Sequence, residues 1–413
     1  MKSANWFGAM AVLALVPTCW LPTVSQQVNS GDQQSAGIAR LGGVSHLVFR
    51  EERDPGDVRL IYVRTDAEGE SRETIATASD AAAMTRPAMA VAQDGSVDVV
   101  WGCAAGLCHA QRAPAGGWTR AADAPGDTPL LLAAAAAPDG GLHVAWQSAT
   151  SPGVMSYRRW RQGAWQAQEI AITLAPVTGG ACDDLNIADV DGQPAVVVAC
   201  EDPGTVTYAR RDAGGRWRKA TLHDGPATAA DIAVGAPGPA PGATGEVVIW
   251  CAGTEVRASA IVRPLFGPIA AVTSGLGSAS CAPGSTAVGA GDDGVVHAVF
   301  AGPIYYTDRG PAQRPLVYAR LAPGSGGWTD IGIFCSGRAP SPLQHVGVAG
   351  DASGVSVSWE ISWGAYGPPP YPSRVSWTQG IAGPLSPSPN PTAAAVGGPP
   401  LPPIIRASAC TVG

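Results

Sequence analysis

The stretch from Leu130 to Trp165 reads LLLAAAAAPDGGLHVAWQSATSPGVMSYRRWRQGAW and contains three short apolar or alternating runs separated by turn residues. Asp139-Gly140 separates the first two runs, and Asp-Gly between alternating runs is a strong signal for a β-hairpin. The third run contains Tyr157-Arg158-Arg159, and Gly163-Ala164-Trp165 follows it. The pattern predicts one antiparallel unit of short strands joined by tight turns.

The same pattern recurs along the chain at intervals of about fifty residues, which is the strongest signal in the sequence. We place the ends of the second strands of seven copies at Phe49, Trp101, Trp146, Cys200, Trp250, Phe300 and Trp359. A single unit of this kind cannot bury both apolar faces, so neighbouring units must cover one another. The sequence therefore predicts an all-β fold, a single seven-bladed β-propeller of four-stranded antiparallel blades over residues 35–383.

The composition excludes several classes of protein. The chain has 413 residues, a formal net charge of −7, 14% charged residues and 46% apolar residues. So little charge is unlike a coiled coil, and so much apolar sequence is unlike a disordered chain. The acidic balance also argues against a nucleic-acid partner. Lys2 and Lys219 are the two lysines of the chain, which we attribute to compositional bias.

The N-terminus predicts export. Lys2 precedes a short apolar run, and small residues lead up to Ser25, so residues 1–25 are interpreted as a signal peptide and 26–34 as a flexible segment. Lipidation at Cys19 is the less favoured alternative. No later segment has the length of a membrane span. We expect a secreted, periplasmic or cell-surface protein with a Pro- and Ser-rich tail at 384–413.

Eight cysteines remain after Cys19, and in an exported chain an even number predicts disulfides. The blade pattern suggests four pairs, of which the last would tie the tail to the final blade: Cys103–Cys108, Cys182–Cys200, Cys251–Cys281 and Cys335–Cys410. No Cys-x-x-Cys motif occurs and no histidine lies at ligand spacing from two cysteines, so we expect neither a metal nor a cofactor.

The Asp-Gly hairpins and the Gly-x-Trp turns resemble the sialidase-type repeat, also called the BNR or Asp-box repeat. That box reads Ser/Thr-x-Asp-x-Gly-x-Thr-Trp. Here Asp212-Ala213-Gly214-Gly215-Arg216-Trp217 matches its Asp, Gly and Trp, and Arg210 and Arg216 stand at the Ser and Thr positions. The resemblance covers most of the chain.

The resemblance implies a six-bladed enzyme with three arginines on the substrate carboxylate, a Tyr/Glu nucleophile pair and an acid/base Asp. The family's Arg-Ile-Pro signature is absent here, and Arg86-Pro87-Ala88 is the nearest sequence. An arginine triad cannot be assigned residue by residue.

Loops after the second strands and between blades carry the candidate site residues. Glu201 and Glu360 both follow a second strand, and two carboxylates are the minimum for glycoside hydrolysis. Aromatic side chains can stack on sugar rings, so we predict a binding set in two aromatic loops: Tyr305, Tyr306, Arg309, Trp363, Tyr366 and Tyr371.

Two further motifs are interpreted as structural. His46, His143 and His297 recur three residues before the aromatic of the second strand, and we expect satisfied histidines between blades. Asp189-Val190-Asp191-Gly192 places carboxylates at alternate positions, as calcium loops do, but it lacks further oxygen ligands and is interpreted as a plain turn.

We therefore expect an exported binding protein without catalysis, with a carbohydrate or an extracellular protein as its partner. The alternative is a sialidase-like glycoside hydrolase or a polysaccharide lyase that uses loop carboxylates and arginines. The sequence leaves the oligomeric state open, and a purely structural surface protein is a third reading.

Overall fold

A computed structural model describes residues 32–54, 56–79, 84–85, 87–174, 182–202, 204–236, 243–262, 270–279, 281–302, 305–307, 310–323, 328–338, 343–362 and 373–380. In parts of these ranges only the backbone is described, chiefly residues 32–36, 270–278, 305–315, 329–338 and 373–380. All regular structure in them is β-strand, which confirms the all-β class.

Every sheet is antiparallel, and in all but the sixth the main path of paired strands follows chain order. The first sheet contains β1 (Asp32–Leu41), β2 (Val44–Asp54), β3 (Asp57–Asp66) and β4 (Gly69–Ala78). The second contains β5 (Ala88–Val91), β6 (Val97–Cys103), β7 (Gly106–Arg112), β8 (Trp118–Arg120) and β9 (Ala124–Pro125). The third contains β10 (Pro129–Ala136), β11 (Leu142–Ser148), β12 (Ser151–Arg161), β13 (Ala164–Trp165) and β14 (Glu169–Thr173).

The remaining sheets repeat the arrangement. The fourth contains β15 (Asp184–Val190), β16 (Gln193–Cys200), β17 (Thr205–Arg211) and β18 (Trp217–Asp224). The fifth contains β19 (Ala229–Val234), β20 (Ala243–Ala252), β21 (Glu255–Val262) and β22 (Ala270–Ser278). The sixth contains β23 (Thr286–Ala290), β24 (Val296–Ala301), β25 (Tyr305–Thr307), β26 (Gly310–Leu321) and β27 (Thr329–Arg338), and the seventh β28 (Leu343–Asp351), β29 (Gly354–Ser362) and β30 (Ser373–Gly380).

The fold is a β-propeller, and the predicted number of four-stranded blades needs correction. Six sheets have the four or five strands of a complete blade, whereas the seventh has three strands among the described residues. In the second, third and sixth sheets an extra short strand pairs with the third strand. In each case the strand that pairs with the third strand is interrupted and pairing resumes with a separate strand, which the repeat pattern does not reveal.

The predicted ends of the second strands also need correction. Six of the seven predicted ends lie inside their strands, and each strand continues for one to five residues: Phe49, Trp101, Trp146, Trp250, Phe300 and Trp359. The reason is packing. Phe49, Trp101 and Trp146 are buried, and the strand that carries each of them extends past the aromatic residue so that its side chain is covered by the adjacent sheets. Cys200 is a true strand end.

The hydrophobic core lies between successive sheets. One cluster combines Leu60 and Tyr62 of the first sheet with Trp101 of the second, and similar clusters fill the other junctions as far as the seventh sheet. Strands covered on both faces are apolar on both faces. This explains why runs such as Ala195 to Cys200 are buried throughout.

The innermost strands contact one another in ring order, and β28 contacts β1. At this closing junction the Arg40 guanidinium lies 3.0 Å from the Asp351 carboxylate, and both side chains are buried. The Ser45 and Ser356 hydroxyls are 2.6 Å apart, and Gly43 N donates to Asp351 Oδ2 at 2.7 Å. The ring is therefore closed by side chains separated by more than three hundred residues.

Within the described part of the chain, no helical segment has both the length and the apolar character of a membrane span.

Candidate functional site

The ring has two different faces. We call one the disulfide face, because it carries the turns between second and third strands, the connections between sheets, and three disulfides. These join Cys103 to Cys108, Cys182 to Cys200 and Cys251 to Cys281, with Cα–Cα distances of 5.8, 4.3 and 5.4 Å. Three of the four predicted pairs are confirmed. The proposed Cys335–Cys410 pair lies outside the residues whose side chains are described.

On the opposite face, the Tyr-x-Arg motif has a structural role. Its tyrosine binds the histidine of the neighbouring strand, with Tyr–OH to Nδ1 distances of 2.7 Å for His46–Tyr62, His143–Tyr157 and His297–Tyr318. Each histidine therefore has a hydrogen-bond partner, but this partner lies in its own sheet. Across to the next sheet, His143 Nε2 is 3.0 Å from Asp189, whereas His297 Nε2 is buried and has no partner among the described residues, so the prediction of satisfied histidines between blades holds only in part. Burial lowers the pKa of His46 and of His297 to about 4, so both are neutral near pH 7.

The arginines of the same motif are paired with nearby acidic side chains. Arg64 lies 2.8 Å from Asp66, and Arg159 lies 2.7 Å from Asp139 of its own Asp-Gly turn. Arg210 pairs with Glu246 of the next sheet. These guanidinium groups therefore hold turns and sheet junctions together, and they do not form the carboxylate-binding triad that the sialidase resemblance implies.

Asp189-Val190-Asp191-Gly192 forms a turn, as predicted. Asp189 Oδ1 accepts a hydrogen bond of 3.0 Å from Gly192 N, and its other oxygen faces His143. Asp191 and Gly192 have φ values of 54° and 77°, which are typical of a tight hairpin turn.

The two candidate catalytic carboxylates have different surroundings. Glu201 is exposed in the turn after β16, and its backbone N–H donates to Asp183 Oδ2 at 2.6 Å. Glu360 is only 3% exposed and lies within β29, not after it, with His345 Nε2 4.0 Å from its carboxylate. They belong to the fourth and seventh sheets, which are not neighbours in the ring. The catalytic assignment stays a prediction without a shared site to support it.

The predicted aromatic binding set is not tested by the structure. Tyr305 and Tyr306 lie in β25, where the side chains are not described, and the other members lie outside the described residues: Arg309, Trp363, Tyr366 and Tyr371.

Acidic side chains also line the inner strands. Asp231 Oδ2 accepts a hydrogen bond of 2.8 Å from Val288 N of the next sheet, and Asp184 Oδ2 accepts one of 3.2 Å from Ala230 N. Burial, together with repulsion from Asp184, raises the pKa of Asp231 to about 8. These carboxyl groups link inner strands across sheet junctions.

A groove that sequence reasoning missed opens between the third and fourth sheets. It has a volume of about 460 Å³ and lies between β14 on one side and β17 and β18 on the other. Its wall is rich in hydroxyl groups, and we call it the threonine groove: Thr173, Leu174, Thr205, Thr207, Lys219, Ala220 and Thr221. Thr173 ends β14 and Thr205 begins β17, so the groove reaches the disulfide face.

Strand register explains the groove. Thr207 pairs with Thr221 and Ala209 pairs with Lys219, so these side chains share one face of the fourth sheet. Lys219 Nζ donates to the backbone carbonyl of Thr173 at 3.2 Å and so bridges the two sheets. Thr205 Oγ1 is buried and has no hydrogen-bond partner among the described residues. The signals in the sequence were the Thr205-Val206-Thr207 alternation and the scarcity of lysine.

Solved structures similar to this chain include AofleA from Arthrobotrys oligospora, at 13% identity over 75% of this chain and 88% of that chain, with a TM-score of 0.47. They also include a mutant Aleuria aurantia lectin in complex with alpha-methyl-L-fucoside, at 13% identity over 77% and 99%, with a TM-score of 0.44. A leech intramolecular trans-sialidase matches at 9% identity over 82% and 67%, with a TM-score of 0.43.

No family model matches the sequence, and no curated protein matches it. The resemblance to the sialidase-type repeat therefore rests on the residues named above.

Proposed function

We propose that this chain is a carbohydrate-binding propeller without catalytic activity, and that the threonine groove is its binding site. The observation that carries the proposal is the buried Thr205 hydroxyl, which has no partner among the described residues and lies in the wall of the groove. Buried polar atoms in folded proteins are nearly always hydrogen-bonded. The oxygen is shielded from solvent in the free chain, so a ligand hydroxyl would satisfy it after the Thr205 side chain rotates toward the groove.

The chemistry of the groove suits a sugar. Threonine hydroxyls both donate and accept hydrogen bonds, as sugar hydroxyls do. Four threonines line the groove, and Lys219 adds a charged donor at its edge. A volume of about 460 Å³ lies within the usual range for small-molecule sites. Leu174 packs against the core between the two sheets and provides an apolar contact for a sugar ring.

The lining of the groove favours binding over hydrolysis. Glycoside hydrolysis ordinarily requires two carboxyl groups on either side of the scissile bond. None of the seven described residues that line the groove is Asp, Glu, His, Cys or Tyr. The alternative, a sialidase-like hydrolase, would need Glu201 and Glu360 from separate sheets.

The proposal includes export from the cytoplasm. Disulfides persist in oxidising compartments and are rare in the cytosol, and the described chain contains three. The signal peptide would be cleaved near Ser25 during export. N-terminal sequencing and mass measurement of the mature protein would distinguish this cleavage from the alternative, a lipid anchor at Cys19.

A glycan array with the purified full chain tests the proposal, followed by calorimetric titration with the best glycan. We expect Thr207→Val and Lys219→Met each to weaken binding about tenfold, since each removes a polar group that faces the groove. Thr77→Val on β4 is the matched control, because Thr77 is exposed on a different sheet.

Two results would overturn the proposal. One is binding that is unchanged by the groove substitutions, which would place the site elsewhere, for example at the aromatic loops. The other is release of sugar from fluorogenic glycosides that is lost in Glu201→Gln or Glu360→Gln, which would support the hydrolase.

A further inference from the structure

The Cys103–Cys108 disulfide is more exposed than Cys182–Cys200 and differs from both other disulfides in its charged setting. It closes the hairpin between β6 and β7 on the disulfide face, with five positions separating the cysteines. Cys103 is partly exposed, whereas Cys182 and Cys200 are both buried. A thiol in solution can therefore approach the sulfur of Cys103.

Arg120 lies against the second sulfur of this disulfide. Its Nη2 is 2.8 Å from Cys108 Sγ. The same nitrogen lies 3.0 and 3.2 Å from the two carboxylate oxygens of Asp123, and the guanidinium carbon is 5.1 Å from the centre of the Trp101 ring. The positive charge is thus positioned beside a sulfur that would become a thiolate on reduction.

We propose that Cys103–Cys108 is a redox-active disulfide that exchanges with low-molecular-weight thiols while the propeller stays folded. A thiolate attacks Cys103 Sγ and forms a mixed disulfide. The Cys103–Cys108 bond breaks, and Cys108 Sγ leaves with the electron pair as a thiolate beside Arg120. A second thiolate then attacks the small-molecule sulfur of the mixed disulfide and releases Cys103 as a thiolate, so two thiols are oxidised and one disulfide is reduced.

The guanidinium favours the reduced form. A cation beside a thiol stabilises its thiolate, and stabilising the reduced form makes a disulfide more oxidising. In the other two disulfides, the one sulfur with a described hydrogen bond is Cys281 Sγ, which lies 3.8 Å from the backbone carbonyl oxygen of Glu255. A carbonyl oxygen offers a thiolate no such stabilisation.

The hairpin can tolerate reduction. Strand pairing joins Trp101 to Cys108 and Cys103 to Gly106, so the ladder holds the two cysteines close without the covalent bond. A disulfide that closes a short loop restricts the unfolded chain less than one that closes a long loop. The sequence separations of the other two are 18 and 30 residues.

Asp123 provides a second test, because its substitution should affect reduction of the disulfide in the direction opposite to substitution of Arg120. Its carboxylate oxygen and the two sulfurs all lie within 4.8 Å of one another, so its negative charge opposes formation of a thiolate. Removing the charge of Arg120 should make the disulfide harder to reduce, and removing the charge of Asp123 should make it easier to reduce.

The experiment equilibrates the full chain in glutathione buffers of stepped ratio, traps free thiols by alkylation and identifies them by peptide mass mapping. We expect Cys103 and Cys108 to become reduced first, with circular dichroism unchanged. Arg120→Gln should lower the equilibrium constant for reduction about tenfold, which corresponds to about 30 mV. Asp123→Asn should raise it, and Arg218→Gln, an exposed arginine paired with Asp212, should leave it unchanged.

The proposal is wrong if Cys103 and Cys108 become reduced only together with Cys182 and Cys200 as the protein unfolds. It is also wrong if Arg120→Gln and Asp123→Asn shift the equilibrium in the same direction. That result would mean that the ion pair of Arg120 and Asp123 only holds the hairpin in shape and that the two charges do not act on the thiolate.

Discussion

Thr205 links binding to stability at the scale of one residue. Its buried hydroxyl has no partner among the described residues, and such a group costs a folded protein about 1–3 kcal/mol. We therefore expect Thr205→Val, which keeps the shape and removes the hydroxyl, to leave the unfolding free energy unchanged or to raise it by about 1 kcal/mol. The same change should weaken glycan binding, as urea unfolding and calorimetric titration would measure.

This result would separate a ligand-binding hydroxyl from a structural one. A fall in unfolding free energy of Thr205→Val would mean that the hydroxyl has a partner in the free protein. Thr77→Val serves again as the control, with both properties expected to match those of the unsubstituted chain.

The buried histidines predict a specific acid sensitivity. The pKa of His46 and of His297 is about 4 in the folded chain, against about 6.5 for an ordinary histidine, so between these pH values the unfolded chain binds protons that the folded chain does not. Stability therefore rises with pH in this window and is lost on acidification. Each histidine contributes a slope of at most about 1.4 kcal/mol per pH unit.

His297→Gln should reduce this slope, which urea unfolding at pH 4.5, 5.5 and 6.5 would measure. His46→Gln should act in the same direction. His223→Gln should change it less, because His223 is partly exposed and its imidazole keeps contact with water in the folded chain. An unchanged slope in His297→Gln would show that His297 titrates normally in the folded chain.

At the scale of elements, glycine sets the spacing of the inner strands. A Cβ atom added at Gly289 of β23 would overlap the carbonyl oxygen of Val348 in β28. Backbone atoms cannot move aside as a flexible side chain can, so Gly289→Ala should force β23 and β28 apart. We expect a loss of about 1–3 kcal/mol of unfolding free energy, measured by urea denaturation.

Gly126→Ala is the matched control, since a Cβ there has no heavy atom within 4 Å. Replacing an unstrained exposed glycine by alanine usually stabilises a protein by up to about 1 kcal/mol through the unfolded chain. A Gly289→Ala protein as stable as Gly126→Ala would mean that the two strands do not pack as closely as described.

Elements with a local cause were predictable from the sequence. Asp139-Gly140 and Asp191-Gly192 form tight turns because glycine adopts the positive φ that the turn requires. The Cys182–Cys200 disulfide was predictable because the hairpin that turns at Asp191 brings the two cysteines together. The position of Glu360 inside β29 was not predictable from the sequence, because the length of β29 depends on its pairing with β28 and β30.

Features that join different sheets were beyond the repeat pattern. The threonine groove combines Thr173 of the third sheet with Thr205 and Lys219 of the fourth, and no local motif relates them. The pairing of Arg40 with Asp351 depends on closure of the whole ring. Each blade pattern specifies one sheet, whereas sites between sheets depend on how the sheets meet.

For the whole molecule, closure of the ring should dominate stability. Arg40 and Asp351 form an ion pair with side chains that are 7% and 3% exposed, and Arg40 also donates to Ser45 and Ser356. Removing one partner of a buried pair leaves an uncompensated charge and typically costs about 3–5 kcal/mol. We expect Arg40→Gln to lower the unfolding free energy by this amount, with limited proteolysis first cutting near the first or seventh sheet.

The comparison that isolates closure is Arg72→Gln. Arg72 pairs with Glu70 at 2.9 Å, but its side chain is 36% exposed, and exposed pairs contribute about 0–1 kcal/mol. The double substitution Arg40→Gln with Asp351→Asn leaves no unpaired charge, so it should cost less than the two single changes added together. Equal losses for Arg40→Gln and Arg72→Gln would contradict closure by a buried ion pair, and additive losses in the double substitution would show that Arg40 and Asp351 act independently.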